Sequence, residues 1–559
     1  MLASPLACAQ FAPVVAQAGT PSNAPVPGIG EALKQVQPPR PPQPPQRAAP
    51  VIVEQEAPAL SLKGSETLMV RAFRFEGADF IAEAALQVAV SPYVGRALDM
   101  REVDAAVERV TALYRARGFP VARAYVPRQD ARDGTLTLRV VVGRYGRVSL
   151  KNHSRVDDRV LSLRLSPLDG DAPVASNSLE RAMLLISDLA GALMPRVSIA
   201  PGASPGLSDV EVEVDAGPRI SGSVLTDNQG SRYTGSKRLS ASLDIHSLTG
   251  VGDRLSLSAL GSSGGGLDNG RLGYSAPLAG SGLRADLAVA RTRYELSGPY
   301  AVLDATGHAE TVDASLSYPA IRARDRNLYL SLNLAARHMH DEIGAASTAS
   351  GRDARAATLA AVYETWGSLF GSAGYGRTSA SLTLGHLRIQ GAQAQEDNRA
   401  GPDTAGRYGK FNLAFSGGLA LSDQWSATLA ATAQQALCRN LDGTEQMALS
   451  GSNGVRAYRE VVMGDHGYLL DAEVRRALPN WAGLTHALGV FANHGRLRLY
   501  DASYTTGNGI SLSDAGLGYY ASYQSLIASM QVARQLGPGQ DGVDEGSKTR
   551  VLLQAGVVF

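Results

Sequence analysis

The sequence predicts a mainly β protein, a 16-stranded transmembrane antiparallel β-barrel preceded by two small α/β units. From Ser221 to Phe559, apolar and polar residues alternate in short segments. Arg238-Leu-Ser-Ala-Ser-Leu-Asp-Ile-His246 sets Leu239, Ala241, Leu243 and Ile245 on one face, with Ser240, Ser242, Asp244 and His246 on the other. A period of two marks a strand, because successive side chains point to opposite faces. Many segments run ten residues or more, close to the roughly 9–11 a tilted strand needs to cross a bilayer. Strands of a soluble sandwich are usually shorter. The second observation is compositional. The 559 residues are 44% hydrophobic and mean hydropathy is −0.08, yet no run of about 18 apolar residues provides a helical span. Barrels hide their apolarity in every second residue. A net charge of +1 gives no sign of a polyanionic partner such as nucleic acid.

The chain divides in order. Leu2 to Ala18 is apolar and small, and Val15-Ala-Gln-Ala18 before Gly19 fits a signal-peptidase site, so residues 1–18 are expected to be a signal segment. Residues 19–65 are expected to hold a short helix at Ile29–Val36 and then a spacer, with seven prolines between Pro38 and Pro50. Such a run adopts extended polyproline conformation. A helix this short is marginal alone in water, so it must dock on something. Cys8 and Cys438 are the only cysteines, and Cys8 falls in the signal segment, so no disulfide framework is expected.

Residues 66–143 and 144–217 each read as β-α-α-β-β. In the first, Val70–Phe75 is a strand, Asp99-Met-Arg-Glu102 has capping-box spacing, and Val103, Val107, Val110 and Tyr114 recur at helical spacing up to Gly118. Strands Ala122–Pro127 and Leu136–Val142 follow. The second unit repeats the plan with strand Gly146–Lys151, helix Ser178–Ala190 closed by Gly191, and strands Arg196–Ala200 and Val210–Asp215. Each small sheet is expected to leave an exposed edge able to pair with an extended chain.

Residues 218–559 supply sixteen candidate strands, an even number that returns both ends of the barrel to one side. Closure matters because unpaired backbone cannot face lipid, and a barrel of this size encloses a water-filled lumen. The last strand places Val551, Leu553, Ala555, Val557 and Phe559 on one face. An aromatic final residue suits the membrane interface and marks Phe559 as a C-terminal assembly signal for the barrel-assembly machinery. The connection from about 438 to 463 is long and contains Gly454-Val-Arg-Ala-Tyr-Arg459. Enzyme readings do poorly. Gly261-Ser-Ser-Gly-Gly-Gly266 opens no helix that could cradle phosphate. The nine histidines, including His338, His340, His486 and His494, show no metal spacing. No catalytic residue, metal or cofactor is expected.

Two polypeptide-transport-associated (POTRA) units before such a barrel resemble the two-partner secretion outer-membrane transporters of Gram-negative bacteria, over roughly Ile29 to Phe559. Three segments carry the likeness. Asn228, Gly230, Thr234 and Gly235 match an Asn-x-Gly-x-x-x-Thr-Gly segment after the first barrel strand. Val455-Arg-Ala-Tyr458 resembles the Val-Arg-Gly-Tyr/Phe tip of a loop that folds back into the pore. Phe491, Asn493 and Gly495 resemble Phe-x-Asp-x-Gly on the lumen wall. The resemblance implies that Arg456 meets the position of Asn493. Ala457 replaces the glycine, which costs backbone freedom if that position needs positive φ. Asn493 replaces the aspartate, which leaves a charge-assisted hydrogen bond in place of an ion pair. Asp465 is the expected source of the missing carboxylate.

The function implied is an ATP-independent outer-membrane pore. It translocates an unfolded partner with an extended N-terminal secretion domain, such as a haemolysin or adhesin, with its POTRA units in the periplasm. The partners are then the passenger, outer-membrane lipid and the barrel-assembly machinery, and the chain is expected to be monomeric. Two alternatives stay open, an assembly or insertion factor for other barrels and a diffusion porin.

Overall fold

The computed structural model describes residues 26–36, 52–54, 67–170, 172–505, 507–537 and 547–559, with backbone alone at 52–54. The expected signal segment at 1–18 and the prolines from Pro38 to Pro50 lie outside the described residues.

Sixteen strands close into one barrel, from the first at Ile220–Asp227 to the sixteenth at Thr549–Val558. Each pairs antiparallel with the next, and the first meets the last from Ser223↔Val558 to Asp227↔Gln554. The alternation read in the sequence is the inside–outside pattern of the wall. Leu239, Leu257, Leu272 and Val289 occupy neighbouring strands and face outward, exposed. The strands from Ala305 to Gln390 are the longest, at 18 to 22 residues. This exceeds what a bilayer needs, so they project beyond it.

Ahead of the barrel stand the two α/β units. In the first, Ala72–Glu76 runs parallel to Thr135–Val141, and Arg123–Tyr125 pairs antiparallel on its other side. Helix Met100–Ala116 covers this sheet. Asp99 accepts from the Glu102 N–H while Glu102 accepts from the Asp99 N–H, the capping box the sequence announces. Val103, Val110 and Tyr114 bury on that face. In the second unit, strands Arg144–Asn152, Arg196–Pro201 and Leu207–Val214 pack against helices Asp158–Leu165 and Ser176–Ser187.

The second unit is fastened to one end of the barrel. Asp157 N–H donates to the Gly250 carbonyl and Ala190 N–H to that of Gly252. Arg164 donates to Gly280 O at 2.7 Å and Arg181 to Pro319 O at 2.9 Å. The Arg322 guanidinium grips Asp188 through two bonds of 2.7 and 2.8 Å. These contacts fall on or beside the turns 247–253, 278–283 and 323–325, which marks that end as the one expected to be periplasmic. The long connections 391–405 and 437–465 therefore lie at the outer end.

Two differences from the sequence reading have physical causes. Helices Glu83–Val90 and Asp158–Leu165 are short and weakly amphipathic, so periodicity does not locate them. Strand Ile52–Glu54 runs parallel along Arg196–Pro201. One edge of the second sheet is thus covered by the chain's own linker, and the strand Arg144–Asn152 stands at the other.

Candidate functional site: a plugged lumen

Helix Ile29–Gln35 sits inside the barrel, with Ile29 and Ala32 buried against Tyr294, Ala309 and Met339. The docking the sequence required is supplied by the wall and by the 437–465 connection together. Ile29 N–H donates to the Asp341 carboxylate at 3.0 Å, and Lys34 donates to the Thr444 carbonyl at 3.0 Å. Gly30 lies so close to Gly443 that a Cβ at Gly30 would stand 2.9 Å from its carbonyl carbon. The connection is anchored in turn. Glu445 is paired with Arg337 and Lys410, and Asp442 with Arg352. Burial pushes the Glu31 carboxyl up to about 7. Burial, aided by the nearby Lys410 ammonium, brings the Lys34 ammonium down to about 7.

The connection enters the lumen as a narrow hairpin, with Met447 and Ala448 pairing with Gly464 and Met463. Its tip is buried, with Val455, Ala457 and Tyr458 at 0%, 1% and 3% exposure. Gly454 is fixed by space, since a Cβ there would lie 2.2 Å from the Leu449 carbonyl oxygen. Ala457 is absent from the positive-φ positions, so its methyl group brings no backbone strain. The expected cost of replacing glycine there does not arise.

Arg456 reaches the wall, but its carboxylate is not where the sequence reading placed it. Its guanidinium pairs with Asp471 at 2.8 Å and Glu473 at 3.5 Å, both on the twelfth strand, His466–Ala477. It also stands 4.0 Å from the Phe491 ring centroid, a cation–π contact. Asp471 is the register partner of Asn493 on the thirteenth strand, Thr485–Arg498. The acid is therefore displaced one strand sideways. Asn493 turns the other way and donates to Asp514 at 2.7 Å. Asp514, on the fourteenth strand, also accepts the Ala457 N–H. Arg550 closes the cradle by donating to the Arg456 and Tyr458 carbonyls, each at 3.1 Å.

Asp465 serves elsewhere. It accepts from the Leu441 N–H, Gln446 and the Tyr500 N–H, and so braces the base of the hairpin. Gly495 makes room for the loop, because a Cβ there would lie 2.3 Å from Leu449 Cδ1. Asp471, Glu473, Asp514 and Arg550 were missed in the sequence. Acidic residues two apart on the lumen face, beside Asn493, are the signal that could have found the first two.

The first-strand segment joins both intruding elements. Thr234 Oγ1 donates to Gln35 Oε1 at 3.0 Å, and Arg238 donates to the Gln35 carbonyl at 2.8 Å. Ser231 Oγ and the Arg232 N–H donate to Glu460 of the hairpin. Gly230 and Gly235 are required by close packing, and Gly235 also by its φ of +100°. Asn228 has a different task. Its side chain donates to the Val551 carbonyl and accepts from the Leu553 N–H, each at 2.9 Å, extending the barrel seam. Phe559 exchanges two backbone hydrogen bonds with Gly222 at the seam's periplasmic end. Its ring lies over Gly222 and is 56% exposed on the outer face.

A polar-lined barrel is thus closed by a helix and a loop-bearing connection that touch each other, with two α/β units ahead of it and the second fastened at one mouth. Residues 206–520 match the family described as "Haemolysin secretion/activation protein ShlB/FhaC/HecB", and residues 68–143 match the ShlB-type POTRA domain. The chain is 25% identical over 460 residues to the heme/hemopexin transporter protein HuxB of Haemophilus influenzae, covering 81% of this chain and 80% of that one. It is 24% identical over 398 residues to the outer membrane transporter CdiB of Dickeya dadantii, covering 70% and 69%. Its fold matches the solved CdiB of Escherichia coli with a TM-score of 0.73 at 21% identity, over 95% of each chain. These relatives favour export over the assembly-factor and porin readings. The chain belongs to the haemolysin secretion/activation (ShlB/FhaC/HecB) family, and it is an outer-membrane transporter of the two-partner secretion type with its POTRA domains in the periplasm.

Proposed function

We propose that this transporter carries one unfolded secreted partner, whose extended N-terminal domain is captured at the POTRA sheets by strand addition. The passenger then crosses the polar lumen once helix Ile29–Gln35 and the hairpin tip have withdrawn. The observation that supports capture is the pairing of Ile52–Glu54 with Arg196–Pro201, since it reveals a sheet edge that accepts an extended chain through backbone hydrogen bonds. The resident segment lies on the same stretch of chain as the lumen helix. A passenger strand that displaces it gains the edge and slackens the tether of the helix in one step. Folding of the passenger outside withdraws freed chain and gives the export direction.

The test is binding of the passenger's N-terminal domain to the full-length transporter in detergent. Val53→Pro removes a backbone donor from the resident strand and is expected to tighten binding about tenfold, or about 1.4 kcal/mol. Deleting 67–217 is expected to abolish it. Unchanged binding in both variants would sink the strand-addition reading.

A further inference from the structure

On the lipid-facing wall, a groove of about 670 Å³ runs across strands Ala305–Arg322 to Gly406–Ala420. Its floor is made of small side chains, Ala314, Ala336 and Ala357, between the flanks of Val312, Leu334 and Leu384. Val312, Leu334 and Leu384 are more than half exposed on the outer face. Small residues in this patch leave an open, apolar-floored groove between the larger side chains.

The outer end of this groove is cationic. Arg355, His386 and Arg407 are successive register partners on three adjacent strands, so their side chains share one face in one row. All three line the groove and all three are exposed. Arg355 lies near the start of Thr348–Leu369, the strand that descends from the outer connection at 344–347. Ala357, Leu359 and Ala361 follow it toward the periplasm on the same face. The row therefore sits where the apolar band meets the headgroups of the outer leaflet.

An acid, Asp353, stands two residues before Arg355 on the same strand face. It is already held by His338 at 2.8 Å and Gln390 at 2.7 Å. Neither Arg355 nor Arg407 forms an ion pair among the described residues. Two arginines flanking an imidazole, exposed at the edge of hydrocarbon, are suited to a phosphate, whose oxygens match the guanidinium fork.

We propose that this groove binds one phosphorylated glycolipid of the outer leaflet, lipid A, with acyl chains on Ala314, Ala336 and Ala357 and a phosphate between Arg355, His386 and Arg407. Charge and depth argue for this occupant together. A zwitterionic phospholipid offers the cations no unpaired phosphate charge, and a soluble anion has no use for the apolar floor.

The experiment is a binding titration of the purified full-length transporter in detergent with lipid A bearing its inner-core sugars. Wild type is expected to bind. R355E/R407E is expected to bind at least about tenfold more weakly, whereas R355K/R407K stays close to wild type. Lipid A stripped of its phosphates is expected to bind at least about tenfold more weakly to wild type, and excess inorganic phosphate is expected to compete poorly. Heat-modifiable gel mobility verifies that each variant is a folded barrel. If the charge reversal fails to fold, R355Q/R407Q and the dephosphorylated lipid decide. Equal binding by the charge-altered variant, equal binding of the dephosphorylated lipid, or full displacement by inorganic phosphate would each overturn the proposal.

Discussion

Asp471, Asn493 and Asp514 stand side by side on three adjacent strands, and their order of acid, amide, acid decides which donors the wall receives. Asp471 takes the Arg456 guanidinium and Asp514 takes the Ala457 N–H, while the Asn493 amide satisfies Asp514. Asn493 Oδ1 meets no donor among the described residues. An aspartate at this position would add a third carboxylate to the row and remove the amide donor that Asp514 accepts. Asn493→Asp, a step toward the family pattern, is therefore expected to weaken the anchoring of the hairpin by about 1–3 kcal/mol. N493D/D514N restores a donor between the two strands and is expected to recover most of the loss. Protease cleavage within 447–463 of the folded transporter measures both. The motif Val455–Tyr458 and the wall residues Phe491 and Gly495 were legible in the sequence. The acidic pair Asp471 and Glu473 was visible as a pattern, but its role was not, because only the register between two strands sets Asp471 beside Asn493.

The helix is joined to the connection that carries the hairpin, since Lys34 donates to the Thr444 carbonyl and Gly30 packs on Gly443. Deleting 26–36 is expected to turn small, brief conductance events into large, long ones in planar bilayers. Gly30→Leu, which drives a side chain into Gly443, is expected to act in the same direction by about 1–3 kcal/mol of lost docking. Proton linkage adds a pH dependence. The docked Glu31 carboxyl titrates near 7 against an ordinary value of 4.5, so its contribution to docking is fully present below 4.5 and is lost as pH rises through about 7. The docked Lys34 ammonium is depressed from 10.5 to about 7, so its contribution is present above 10.5 and lost as pH falls to about 7. Acidifying the bath from 7 to 5 crosses most of the Glu31 window and only the tail of the Lys34 window, so it is expected to reduce spontaneous openings. E31Q is expected to remove that response, and an identical response in E31Q would contradict the assignment. The capping box at Asp99 and the helices of both units that carry a strong stripe were readable. The Ile52–Glu54 strand was not, because three residues carry no period and their partner lies far along the chain.

Across the whole molecule, alternation fixed the number of strands and the inward and outward faces before any pairing was known. The seam could not be read, because closure depends on register between the two ends of the chain. Five residue pairs close it, against nineteen between Thr348–Leu369 and Ser372–Gln390, and the Asn228 side chain extends this short contact. The barrel is closed in this way, holds the helix and the hairpin within it, and is braced on Arg322 and Asp188 at its periplasmic mouth. The claim that the lumen is the export path is tested most directly by photo-crosslinking to a passenger stalled in transit. Crosslinkers at Ser529 and Gln531, which line the lumen below the hairpin tip, are expected to capture the passenger. One at Met530, exposed on the outer face between them, is expected to capture none. Capture at Met530 equal to that at its two neighbours, or passenger in the medium with no lumen crosslink, would contradict the account.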